Sequence, residues 1–115
     1  MARSSHTIRD LNDRFRKGDS SVPGRVMVTS GIQDLVAGHP LEDVASILAR
    51  VRQFEEFNAD NDPYGEHDFG SLECLGEKLF WKIDYYGPDL MSGSEDPADP
   101  AQTVRVLTIM LVQEY

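Results

Sequence analysis

Ten residues near the C-terminus, 103–112, constrain the fold more than any other stretch. They read Thr-Val-Arg-Val-Leu-Thr-Ile-Met-Leu-Val. Rich in β-branched side chains and nearly continuous in apolar character, the run predicts a central strand buried on both faces. A buried helix is the alternative, because periodicity alone does not separate the two. Upstream, 69–75 and 78–86 are β-rich runs around Gly76-Glu77, which predicts a hairpin with a two-residue turn. In the second run Trp81, Ile83 and Tyr85 alternate with Phe80, Lys82, Asp84 and Tyr86, giving one apolar and one mixed face. Arg25–Thr29 reads as a further short strand, stopped by Ser30-Gly31.

Helical spacing appears twice. Thr7 is placed to cap a first helix, with Asp10 at the third position and Ile8, Leu11 and Phe15 on one face; Gly18 and Asp19-Ser20-Ser21 end it. Leu41, Val44, Ile47, Leu48, Val51 and Phe54 form the strongest stripe, predicting an amphipathic helix over 41–57. Pro40 suits its first turn, and Glu42 and Asp43 its positive end. Ile32–Val36 has the length of one short helical turn. The order predicts an α+β fold in a single domain over 1–115: a four-stranded, mostly antiparallel sheet with two helices packed on one face. Residues 1–6 are expected to be flexible. Residues 87–101 form a long acidic loop, with three prolines and two glycines against regular structure.

One domain is what 115 residues allow. No apolar run approaches the roughly 18–20 residues of a membrane helix, and no secretory h-region follows the first residues. Cys74, the single cysteine, cannot form an internal disulfide; its apolar setting predicts a small core residue and fits a reducing cytoplasm. The net charge of −9 is unevenly placed. Residues 1–55 hold eight Lys/Arg against seven Asp/Glu, residues 56–115 three against thirteen. Such a surface repels phosphate chains and anionic membranes and favours a basic protein partner. Arg9, Arg14, Arg16 and Lys17 read as the solvated face of the first helix.

The densest chemistry lies at 58–70, where Asp60, Asp62, Glu66, His67 and Asp68 share one turn-rich segment. As an EF-hand from Asp60, positions 1, 3 and 6 match but Tyr64 and Ser71 fail as ligands, so that motif is rejected. A looser divalent-cation site keeps Asp60, Asp62, Glu66 and His67 as candidate ligands. His6 and His39 sit in unrelated segments, and zinc spacing is absent. Acid–base chemistry is conceivable with His67, Glu66, Asp68 and Asp84, with Lys82 on the same strand face as Asp84. The competing reading is that these side chains pin a loop between helix and sheet. Phe80, Trp81, Tyr85 and Tyr86 have the composition of a stacking platform, but only Lys78 and Lys82 lie near them, so direct nucleic-acid binding is disfavoured.

Three blocks together, Asn61–Gly70, Phe80–Tyr86, and Asp96–Pro100 running into Thr103–Leu111 and the terminal Glu114-Tyr115, resemble a family of small bacterial proteins catalogued as domain of unknown function three-seven-six-eight. The likeness extends from the Leu11-Asn12-Asp13 helix to the final tyrosine. It implies a compact bacterial cytoplasmic domain and brings no activity, cofactor or catalytic residue. Gly87 departs from it, standing where an acidic residue is expected.

Two functions follow as expectations. The first is a non-catalytic interaction module for a basic protein, using Asp62, Tyr64, Glu66, Asp68, Tyr86, Glu95, Asp96 and Asp99; one version is a mobile-element-borne inhibitor that mimics nucleic acid. It needs no cofactor. The second is a metal-assisted hydrolase built on the Asp60–Asp68 cluster and Asp84. Both require the carboxylates of the second half to gather in space. Pairing of two copies through the hairpin edge is compatible with either.

Overall fold

A computed structural model describes residues 5–115. Its elements, in order, are α1 (Ser5–Arg16), β1 (Gly24–Val28), α2 (Ser30–Ala37), α3 (Val44–Arg52), β2 (Phe69–Cys74), β3 (Glu77–Tyr86) and β4 (Val104–Leu111). Single 3-10 turns at Pro100–Gln102 and Val112–Glu114 flank β4. The four strands form one sheet in the order β1-β4-β3-β2. The β2–β3 and β3–β4 pairings are antiparallel; β1 runs parallel to β4. The sheet is therefore mixed, with its antiparallel part in the majority, and the run at 103–112 supplies an interior strand over Val104–Leu111, as expected.

Alternation along β3 and β4 divides the sheet. Leu79, Trp81, Ile83, Leu107 and Ile109 are buried on one face. Ile32 from α2 and Ile47, Val51 and Phe54 from α3 and its exit pack on them. α1 reaches the same face further along, where Asn12 meets Tyr85 and Arg105. Three helices, not two, thus share that face; the turn read at Ile32–Val36 is a full helix because Thr29 accepts from the Ile32 N–H and starts it. The opposite face carries Phe80, Lys82, Asp84 and Tyr86 with Val104, Val106 and Thr108, all partly exposed. β4 is therefore fully buried on its helix side only, although Met110 is covered on the other.

Four expected boundaries are corrected. Helix α3 is shorter than 41–57: Asp43 is its N-cap, accepting from the Ser46 N–H, so Pro40 and Glu42 lie outside it and Leu41 is 98% exposed. Phe54 and Phe57 join the core after the helix has ended, which is how the stripe came to look longer. Thr7 sits inside α1 instead of capping it. Glu77 already pairs with Cys74, so the hairpin turn is Leu75-Gly76, with φ of 55° and 81°. Positive φ at both central positions is the turn whose twist matches a two-residue hairpin. Of the N-terminal segment expected to be flexible, Ser5 and His6 belong to α1 and residues 1–4 lie outside the described residues.

The loop at 87–101 is organised by its own side chains. Gly87 N donates to Ser92 O and Ser94 N to Tyr85 O, while Asp96 and Asp99 cap the turns that follow them. Thr103 is buried and its hydroxyl donates to Asp96 O, fastening the loop to the start of β4. Cys74 is a small core residue, 5% exposed.

Candidate functional site

The chemistry-bearing residues converge where α1 crosses the ends of β3 and β4. One face of α1 buries Ile8 and Leu11 as expected, but also Asn12 and Arg16, which are 0% and 1% exposed. Arg16 was grouped with the solvated basic face; instead it is inserted beneath the sheet. Its Nη1 donates to Val51 O and Arg52 O, satisfying carbonyls at the C-terminal end of α3. Its guanidinium lies 5.2 Å from the Trp81 ring and 5.5 Å from Phe57. A planar, weakly hydrated cation tolerates that aromatic cage where an ammonium would not.

Asn12 is the hub. Its Nδ2 donates to Glu66 O and to the Tyr85 hydroxyl at 2.9 and 2.8 Å, and its Oδ1 accepts from Arg105 Nε at 2.6 Å. Arg105 Nη2 donates to Pro97 O, and the guanidinium lies 5.2 Å from the Tyr85 ring. The Tyr85 hydroxyl donates onward to Glu66 Oε1. Burial, first of all, raises the Tyr85 phenol and lowers the Arg105 guanidinium from their ordinary values. The network joins α1, the 58–68 segment, β3, β4 and the 94–103 loop. Asn12, Arg16 and Arg105 were missed as site residues. A polar residue on an otherwise apolar helical stripe, and an arginine inside a strand of ten mostly apolar residues, were the available signals.

His67 occupies the neighbouring position. Its φ of 55° turns the chain sharply, and Asp62 Oδ1 accepts its main-chain N–H. The ring stacks on Phe57, with centroids 3.7 Å apart and 4° between planes. Nδ1 lies 2.9 Å from Asp13 Oδ1, and Nε2 lies 3.5 Å from Asp62 Oδ2. The two carboxylates flank opposite ring nitrogens, so they do not share one centre with the imidazole. Among the described residues no three His, Cys, Asp or Glu side chains group as a metal would require. Asp60 stands apart in a local turn, its main-chain N–H donating to Asn58 Oδ1.

Other expected site residues distribute as follows. Glu66, Asp62 and Asp84 each lie near enough to Asp68 to act on it: burial, then the charges of Glu66, Asp62 and Asp84, push the Asp68 carboxyl above the usual carboxylate range. Tyr64, beside them in the chain, is 80% exposed. Asp84 pairs with Lys82 at 2.9 Å on the sheet face away from the helices, so neither turns toward His67. Their hydrogen bond raises the Lys82 ammonium. Asp96 and Asp99 are engaged in turn capping, and Glu95 is exposed just beyond the Gly93–Ser94 stretch that pairs back on Tyr85 and Tyr86. Trp81 is fully buried and Tyr85 holds the polar network, so no four-ring stacking platform exists; Phe80 instead meets Phe69 and Tyr115 at 4.9 and 5.3 Å.

A buried polar junction under a mixed four-stranded sheet defines a small α+β domain in which Asn12, Tyr85, Glu66 and Arg105 bond one another and His67 lies against Asp13. The chain belongs to the family described as Protein of unknown function (DUF3768), which matches it over residues 28–114. No curated protein and no solved structure matches it.

Proposed function

We propose that this domain is a non-catalytic interaction module whose acidic end docks on a basic protein surface. The observation that carries the reading is the half-buried Asp68, whose carboxyl is pushed up by that burial and then by Glu66, Asp62 and Asp84, which approach it from both sides of the sheet end. Of these Asp62 is itself largely covered by His67, so Glu66, Asp68 and Asp84 supply the accessible charge. Lys82 pairs with Asp84 and His67 lies beside Asp62, which leaves the charge of Glu66 and Asp68 for a basic surface to neutralise. Tyr64, 80% exposed at the rim, is the anchor that such an interface uses at its centre. Commitment of His67 to Asp13 and of Tyr85 to Glu66 supports a structural part for the groups that an acid–base mechanism would need free. Imitation of a nucleic-acid phosphate chain by these carboxylates is the finer form of the proposal.

The test is calorimetric titration with a lysine- and arginine-rich peptide at about 50 and 300 mM salt. Binding that weakens severalfold at the higher salt, and again in Tyr64→Ala and Asp68→Asn, is the expected result. Salt-independent binding overturns the reading. So does a melting-temperature rise with Mg²⁺, Mn²⁺, Ca²⁺ or Zn²⁺ that is lost in Asp62→Ala or His67→Ala, which would restore the metal-assisted hydrolase.

A further inference from the structure

The two edges of the sheet are guarded unequally. On β2, Asp68 O accepts from Ile83 N, so the alternation turns the main-chain groups of Phe69, Ser71 and Glu73 outward. Arg50 Nη1 covers the Glu73 carbonyl, and Glu55 and Glu56 line the same rim. Charged side chains over an edge are the usual protection against strand addition. On β1, Arg105 N donates to Pro23 O and Thr29 N to Ile109 O. The register then turns Arg25 and Met27 main-chain groups toward β4 and those of Gly24, Val26 and Val28 outward. Among the described residues, Gln33 Nε2 on Val28 O is the one side-chain bond to that outward row. Val26 and Met27 are 42% and 54% exposed, and no charge faces inward from this strand.

We propose that the β1 edge pairs antiparallel with β1 of a second copy, about a two-fold axis at Val26, joining two sheets into one of eight strands. An isologous contact of this kind places each outward residue against its symmetry partner. Val26 meets Val26 of the other copy, Gly24 meets Val28, and Arg25 lies opposite Met27. Val26 covers its symmetry mate, the aliphatic stem of Arg25 lies over Met27, and no like charges are opposed. A register two residues earlier would set Arg25 against Arg25, which disfavours it. Val28 O keeps a second lone pair beside Gln33. Charge distribution favours the same approach. Of the acidic half, β4 beside β1 carries no carboxylate, and the strand order puts β2, β3 and the 58–68 segment on the far side of it, so most of the negative charge of the two copies stays apart.

A five-residue strand pair is a small interface, so the dimer is weak and concentration-dependent. Sedimentation velocity from about 10 μM to 1 mM reads it directly. The wild-type mass should rise toward twice the monomer. Val26→Pro removes an outward N–H without touching the β1–β4 ladder, and should weaken association at least tenfold with circular dichroism unchanged. Met27→Glu places a carboxylate opposite Arg25 at two symmetric positions and should tighten it roughly threefold to tenfold. A chain that stays monomeric to 1 mM overturns the proposal and leaves the edge to a strand of another protein. Association that Met27→Glu leaves unchanged overturns it too, even if Val26→Pro fails to fold. Neither outcome bears on the acidic end, which the peptide titration reads separately.

Discussion

Arg105 Nε donates to Asn12 Oδ1 over 2.6 Å, tying the last strand to the first helix across 93 residues of chain in a place where both side chains are fully buried. The family match begins at residue 28, yet the matched region relies on Asn12 and Arg16 for hydrogen bonds at Glu66, Val51, Arg52 and Arg105. The physical unit of the fold therefore includes α1. Arg105 engages Nε and Nη2 while its buried Nη1 finds no partner, so the bonds it does make are what keep the guanidinium tolerable, and removing one costs more than the pair itself contributes.

Asn12→Ala should accordingly destabilise the domain by about 3 kcal/mol, lowering the melting temperature by roughly 10 °C. The double variant Asn12→Leu with Arg105→Met replaces the pair by apolar groups and should recover a large part of that loss. Equilibrium urea unfolding of the wild type, Asn12→Ala, the double variant and its two single variants, Asn12→Leu and Arg105→Met, checks it. A double variant less stable than the sum of its single changes would show that the pair is not the unit at stake.

Two glycines of the hairpin should respond to alanine for different reasons. At Gly70 an added Cβ would lie 2.4 Å from Trp81 Nε1, against an indole that is fully buried. Gly70→Ala should cost about 1–3 kcal/mol by overpacking, and shift the emission of the single tryptophan. At Gly76 nothing lies within 4 Å but φ is +81°. Gly76→Ala should cost about 1 kcal/mol through the backbone alone, with the emission unchanged.

Those two positions also mark how far the sequence could be read. Gly76 announced a turn, because two β-rich runs around a glycine leave few alternatives. Its placement was off by one, because Leu75 accepts a positive φ that a leucine rarely adopts. The central strand followed from a β-branched, nearly continuous apolar run, the alternation through Trp81 from period-2 patterning, and the burial of Cys74 from its apolar setting. The third helix was under-read because an eight-residue element carries too few turns to show a stripe. The polar junction was half legible. Composition located Glu66, His67 and Asp68, but their partners Asn12, Asp13 and Arg105 are distant in sequence, and pairing across such distances leaves no local trace. Arg16 misled for a related reason: a basic residue beside Arg14 and Lys17 looks solvated until the carbonyls at the end of α3 are brought over it.

Asp68 sets a pH dependence of unusual sign for a carboxylate. Its folded-state value is raised, by burial first and then by Glu66, so the native state holds the proton more tightly than the unfolded chain. Stability from this group is present below the ordinary aspartate value near 3.8 and is lost as pH rises through the raised folded value. Asp68→Asn keeps the shape and removes the charge. It should be more stable than the wild type at pH 7, with the difference vanishing toward pH 3. Urea midpoints measured across that interval decide it, and a variant less stable at pH 7 would show that the ionised carboxylate makes a contact outweighing the repulsion.

Glu114 has the opposite sign. Its carboxylate accepts from the Thr29 hydroxyl at 2.7 Å, from Leu111 N at 2.8 Å and from Gly31 N at 3.1 Å, so it closes the C-terminal turn onto the start of α2. Those bonds, the Thr29 one foremost, hold it below the usual glutamate value. The stability it contributes is present above about 4.5 and is lost as pH falls through the lower folded value. Glu114→Gln should therefore be less stable than the wild type at pH 7 and converge with it toward pH 2–3. The loss should appear as faster amide exchange at Gly31, since a glutamine has one carbonyl oxygen to divide among donors that a carboxylate serves with two. Equal exchange at Gly31 in both proteins would mean that the turn closes without the carboxylate.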